Sequence, residues 1–217
     1  MLDEATARRV MVDGQIRTAD VSEPALLEAM LALPRERFVP LPVKPLAYLD
    51  SDIVVGKGRA LLKPMVLAKL IQAAQILPTD SVLDVGCATG YSAAVLSKLA
   101  GSVIALEEDP ELAKAAKEAT TALGISNIDI VTGPLTAGWP AAAPYDVILF
   151  DGAAQTIPDR FGQQLKADGR LLAVYGRSPP CRATIFRFIE GHLIGRPLFD
   201  AAARPLPGFS AAPAFVF

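Results

Sequence analysis

The stretch SVLDVGCATGYSAAVL, residues 81–96, runs apolar to a glycine, steps four residues to a second glycine and restarts with helical spacing. Gly86 and Gly90 flank a turn between a strand and its following helix, where missing side chains let backbone N–H groups approach a ligand at a helix N-terminus. Such a turn can seat a nucleotide-type ligand. Its G-x-x-x-G spacing is not the G-x-G-x-x-G of dinucleotide folds, so a dehydrogenase is not expected. Glu107 closes the next strand, where a doubly wound fold sets a carboxylate to accept both ribose hydroxyls about twenty residues further on. Asp151 ends a later strand and offers a second carboxylate toward the same crevice. It could serve as a base, hold a ligand's ammonium group or cap a helix. The bland alternative is that the glycines only permit tight packing, with Glu107 and Glu108 a solvated strand end. Cys87 and Cys181 lack histidine partners and read as lining residues, and His192 reads as a surface turn residue.

Those residues need a scaffold, and the sequence supplies one by alternation. The pattern reads helix 64–77, strand 81–86, helix 90–100, strand 102–107, helix 110–123, strand 128–133, strand 145–150, helix 157–166 and strand 169–175, which predicts a parallel sheet. SVLDVG, SVIALE and DVILFD are near-continuous apolar runs, as expected for strands covered on both faces. Two β-like runs around Gly191 predict a closing antiparallel hairpin. Residues 4–17 and 22–33 read as helices, the second capped by Ser22 and ended by Pro34. Prolines 34, 40, 42 and 45 make the following segment irregular. The boundaries drawn are 1–62, a helical cap with a wrapping segment and substrate loop, and 63–217, the ligand-binding domain. The apolar end PLPGFSAAPAFVF is expected to pack on the sheet.

A chain of 217 residues that is 52% hydrophobic can bury one large core. With 21 basic and 23 acidic side chains, a formal charge of -2 and no stripe of one sign, nucleic acid is not an expected partner. Two distant cysteines exclude a disulfide framework and a CxxC metal site, which suggests a reducing, cytoplasmic setting. No apolar run approaches the roughly 20 residues of a membrane span.

Asp84, the loop of Gly86, Cys87, Ala88, Thr89 and Gly90, then Tyr91, and Glu107 after the next strand together resemble a class I S-adenosylmethionine-dependent methyltransferase. GQIR (14–17), LLEAM (26–30), PRERFVP (34–40), LAYLD (46–50), GW (138–139), YDVILFDGAAQTIP (145–158) and LKADGRLLAVYG (165–176) resemble the protein-L-isoaspartate O-methyltransferase family in order and spacing. The resemblance implies an α/β fold: a doubly wound, mostly parallel seven-stranded Rossmann-like sheet with a C-terminal antiparallel hairpin and an N-terminal helical cap. It implies S-adenosylmethionine as cofactor and S-adenosylhomocysteine as product, held by the loop residues with Asp84, Tyr91, Glu107, Glu108, Pro134 and Leu135. The implied reaction methylates isoaspartyl carboxylates of damaged proteins, by a monomer without metal, nucleic acid or membrane.

The sequence departs from the family where chemistry is expected. The family's Thr-x-Ser pair precedes Gln-Pro, whereas GRALLKP sets Ala60 and Leu62 at the hydroxyl positions and Lys63 before Pro64. Leu62, at the active-site serine position, and Asp151, where the family usually has threonine, are the candidate catalytic positions. Ala88 replaces the loop's middle glycine, which matters if φ there is positive. Pro134 replaces the aspartate that receives the adenine amino group, at a cost on the order of 1–3 kcal/mol. Methyl transfer to an ionised carboxylate needs alignment rather than a general base. Three readings stay open: isoaspartyl methylation, methylation of another acceptor such as a small molecule, and a non-catalytic cofactor-binding or scaffold role. Residues 56–64 could form a lid.

Overall fold

The structure is a computed structural model that describes residues 3–177 and 181–211. Its centre is a seven-stranded sheet ordered β5-β4-β3-β6-β7-β8-β9, where β3 is Ser81–Val85, β4 Ser102–Glu107, β5 Ile128–Thr132, β6 Tyr145–Ala154, β7 Leu165–Tyr175, β8 Cys181–Ile189 and β9 His192–Ala201. The strands from β5 to β7 pair in parallel, and β8 and β9 are antiparallel. The expected architecture and its closing hairpin are therefore present. The order of connection reverses at β3, since the chain steps from β3 out to β4 and β5 and then crosses back to β6 on the other side, which opens a crevice at the carboxyl ends of these strands.

Alternation along the strands splits the apolar residues between two faces. Val82, Val103, Ala105, Val147, Leu149, Leu172 and Val174 face the α-helices. Leu83, Val85, Ile148, Phe150, Leu171 and Ala173 face the other way. The helices α3 (Pro64–Ala74), α4 (Tyr91–Ser97) and α5 (Pro110–Ala122) cover the first face, with α1 (Glu4–Met11) and α2 (Pro24–Ala32) packed into the same core. One core thus spans the boundary drawn at residue 62. The second face is closed by a 3-10 turn, Asp159–Gln164, and by Leu135, Leu206 and Phe209.

Several local expectations are corrected. The helix predicted over 4–17 ends at Met11 and continues as a wide turn, Val12–Ile16, and a 3-10 turn, Arg17–Ala19. Ser22 is not a cap: α2 starts at Pro24, Glu23 holds the N-cap position without a side-chain cap bond, and the Gln72 side chain accepts from the Ser22 and Glu23 N–H groups at 2.7 and 3.1 Å. The helix predicted over 157–166 is only the 3-10 turn, bounded by Pro158 and by an earlier start of β7. The wrapping segment forms two 3-10 turns, Arg35–Phe38 and Leu41–Leu46, and the expected lid region, 56–64, overlaps a hairpin of β1 (Ile53–Gly56) and β2 (Arg59–Leu61). Of the apolar chain end, residues 205–209 pack on β6: the Ala153 N–H meets the Arg204 carbonyl, and the Leu206 N–H meets the Ala153 carbonyl, each at 2.8 Å. Residues 212–217 lie outside the described residues.

Candidate functional site

Gly86, Ala88 and Gly90 all have positive φ, at 81, 49 and 91°, so the chain turns sharply from β3 into α4. At Ala88 the left-handed backbone carries a cost of about 1–2 kcal/mol that glycine would not bear. At Gly90 a Cβ would lie 3.0 Å from the Ala116 Cβ, so this glycine lets α5 close on the turn. The expectation of bare amides at the turn is corrected. Gly86 and Cys87 donate to the Leu106 carbonyl at 2.8 and 3.1 Å, Gly90 donates to the Cys87 carbonyl at 2.8 Å, and Ala88 donates to Glu107 Oε2 at 2.8 Å.

Alternation sets Glu107 on the helix-covered side at the end of β4, where it is fully buried. Its Oε1 accepts the Glu108 and Asp109 N–H groups at 2.9 and 3.2 Å. Arg59, at the start of β2, approaches Oε2 with Nε and Nη2, each at 3.4 Å, and Nη2 also donates to the Gly86 carbonyl. A Cβ on Gly86 would meet Arg59 Nη2 at 2.5 Å and Leu206 Cδ2 at 2.7 Å. The space opened by this glycine is therefore filled by the chain's own side chains. Beside it lies a cavity of about 510 Å³ walled by Glu107, Glu108, Gly133 and Pro134 on the sheet side and by Lys57 and Arg59 on the hairpin side. Leu135 is buried beneath that wall.

A second group of polar side chains is sealed behind the turn. Asp84 accepts from the Ser92 hydroxyl at 2.6 Å through Oδ2. Among the described residues, Asp84 Oδ1, Asp151 Oδ1, Tyr91 Oη and Arg35 Nη1 are buried without a hydrogen-bond partner. Arg35 donates to the carbonyls of Ala47 and Leu62 at 2.8 and 2.7 Å and lies 4.5 Å over the Tyr91 ring. Burial, then the charge of Asp151, pushes the Asp84 carboxyl well above its ordinary range. Burial pushes Asp151 up to about 6 and raises the Cys87 thiol well above its usual value.

The predicted site residues thus divide. Glu107, Glu108 and Pro134 line the open cavity, with Leu135 underneath. Asp84, Cys87, Ala88 and Tyr91 are fully buried, and Thr89 spends its hydroxyl on the Phe38 carbonyl at 2.5 Å; these residues shape the turn from below. Leu62, expected in a substrate cleft, is 2% exposed in the apolar core, and Ala60 is buried beside it. Asp151 caps no helix. It sits within β6 where the pairing with β7 slips between Leu149 and Ala153. His192 is exposed and meets Asp159 at 3.0 Å, as a surface residue would. Arg59 and Arg35 were not singled out by the sequence, and each is an arginine beside other polar or proline-rich residues with no periodicity to mark it.

These residues meet an adenosyl cofactor unevenly. The cavity and its wall suit the adenine end, whereas the ribose and sulfur end does not fit while Arg59 and Leu206 stand against Gly86.

Residues 7–185 match the family profile described as Protein-L-isoaspartate(D-aspartate) O-methyltransferase. A protein-L-isoaspartate O-methyltransferase of Protochlamydia amoebophila is 40% identical over 168 residues, covering 77% of this chain and 80% of that protein. The Methylorubrum extorquens protein of the same name is 40% identical over 199 residues, covering 92% and 85%. Among solved structures, a protein-L-isoaspartate O-methyltransferase superposes with a TM-score of 0.80 at 25% identity, over 94% of this chain and 67% of that one. A Plasmodium falciparum structure described as such an enzyme in complex with S-adenosyl-L-homocysteine shares the fold, with a TM-score of 0.78 at 18% identity, over 95% and 99%.

Proposed function

The chain belongs to the protein-L-isoaspartate(D-aspartate) O-methyltransferase family, and from that premise we propose how its own residues serve the reaction. It is an S-adenosylmethionine-dependent methyltransferase that esterifies isoaspartyl carboxylates of damaged proteins. The observation that carries our reading of the site is the wall of Glu107, Glu108, Gly133 and Pro134 at the carboxyl ends of β4 and β5. The adenine end of the cofactor would rest there, against residues that alternation and a switch point bring together.

When bound, S-adenosylmethionine supplies a methyl group on a positively charged sulfur. The acceptor carboxylate is ionised at neutral pH, since its reference pKa is about 4. What the chain contributes is alignment of the acceptor and exclusion of water. Ser92 and Asp84 bond to each other beneath the turn, and Arg35 ties the wrapping segment to the buried Leu62 carbonyl. Neither Ala60 nor Leu62 offers a hydroxyl, so acceptor positioning falls to backbone groups and to neighbouring side chains. That feature, with Asp151 in place of the family's threonine, favours a second reading in which the acceptor is a different molecule.

With 21 basic and 23 acidic residues and a net charge of -2, nucleic acid is not the expected partner, and the reading takes the chain as a monomer that acts on polypeptides in the cytoplasm. Among the described residues no helix is long and apolar enough to cross a membrane.

Transfer of tritiated methyl to an isoaspartyl peptide and to its ordinary aspartyl twin tests the acceptor. Label on the isoaspartyl peptide alone is expected. Label on neither, from a chain that binds the cofactor, would favour the second reading.

A further inference from the structure

The side chain nearest to Glu107's free edge belongs to the protein itself. Arg59 Nη2 donates to the Gly86 carbonyl, and its Nε and Nη2 lie 3.4 Å from Glu107 Oε2. A Cβ at Gly86 would stand 2.5 Å from that Nη2, so the guanidinium fills the space that this glycine leaves free. The pair is buried, with side chains 4% and 0% exposed. The hairpin that delivers it is exposed only at its turn, where Lys57 meets Asp109 at 3.2 Å through a side chain that is 67% exposed, whereas Ile53, Val55, Ala60 and Leu61 of its strands are buried. The cavity beside Arg59 stays open toward Gly133 and Pro134.

Resting on the functional reading above, we propose that Arg59 is an internal stand-in for the cofactor, its guanidinium occupying the ribose and sulfur end of the seat until that side chain swings away. Glu107 is buried, and an unanswered buried carboxylate is costly. Arg59 answers it in the closed state, and the ribose hydroxyls of the ligand, as donors to Glu107, would take over that role as the guanidinium leaves. Cofactor uptake is then a competition, in which apparent affinity falls in proportion to the fraction of chains whose Arg59 side chain stands clear of the seat. If about one chain in ten is open, binding is weakened about tenfold.

The test is titration of S-adenosylhomocysteine into the wild-type chain and Arg59→Lys, which keeps a cation but loses the fork. Heat and the fluorescence of Trp139 are the readouts; this tryptophan is the single one in the chain, and its ring would lie 3.3 Å from a Cβ on Gly133 at the cavity wall. The expected result is about tenfold tighter binding by the variant. Equal or weaker binding overturns the proposal. Hydrogen exchange on the wild-type chain decides independently, even if the variant fails to fold. Saturating S-adenosylhomocysteine, by freeing Arg59 from Gly86 and Glu107, should speed exchange across residues 53–61, and unchanged or slower exchange there overturns the proposal while the functional reading stands. No uptake by either protein at millimolar ligand would remove both.

Discussion

Burial raises the Asp151 carboxyl to about 6, against an ordinary value near 4, while Ser92, Arg59 and Arg35 pull in the opposite direction. Between those values the folded chain holds a proton that the unfolded chain has released. The resulting stabilisation is complete below about pH 4 and is lost as pH rises through 6. Relative to a neutral side chain, the ionised carboxylate therefore burdens the fold above pH 6 by about 1–3 kcal/mol. Asp151→Asn should melt higher than wild type at pH 8, with the gap narrowing at pH 5. A gap that does not change with pH would contradict the assignment. Leu62 makes a contrasting case. Its side chain is 2% exposed in the core, so restoring the family hydroxyl by Leu62→Ser should cost roughly 2–5 kcal/mol and lower the melting temperature by roughly 5–15 °C. An unchanged melting temperature would show that Leu62 is not packed as described.

Elements are fixed in place by a few side chains that reach far along the chain. Arg170 on β7 donates to the carbonyls of Ala74 and Gln75 at 2.5 and 2.8 Å, and to Asp80 at 2.8 Å, so it satisfies the carboxyl end of α3. Arg170→Met should cost roughly 2–4 kcal/mol in urea denaturation. The exposed Lys57 to Asp109 pair differs, and Lys57→Ala should change stability by less than about 1 kcal/mol. The sheet strands were legible because buried parallel strands read as apolar runs, and Gly86, Gly90 and Glu107 follow from strand ends. The β1–β2 hairpin was not legible: its strands have four and three residues around a Lys-Gly turn, too short for a period to show. Nor could spacing reveal Arg59, whose burial is decided by a carbonyl 27 positions away in the sequence. The end of the predicted helix 157–166 failed for a related reason, since tertiary pairing draws Leu165 into β7.

Across the whole molecule the two sheet faces are closed by different parts of the chain. Helices cover one face, and on the other the far end of the sequence returns to the crevice. Phe209 packs its ring 4.9 Å from Phe150 and 5.9 Å from Phe161, and its carbonyl accepts from the Gln155 and Thr156 N–H groups at 2.9 and 3.0 Å. Phe209→Ala should cost about 3–5 kcal/mol in chemical denaturation. The same segment carries Leu206, which shoulders Gly86 and Gly152, so fold stability and access to the crevice depend on one strap. The central claim, that the crevice at β3 and β4 is the cofactor seat, is tested most directly by a crystal structure grown with S-adenosylhomocysteine. It should show the ribose hydroxyls on Glu107, adenine against Gly133 and Pro134, and the Arg59 side chain displaced. A nucleoside bound elsewhere, with Arg59 still on Glu107, would contradict the account.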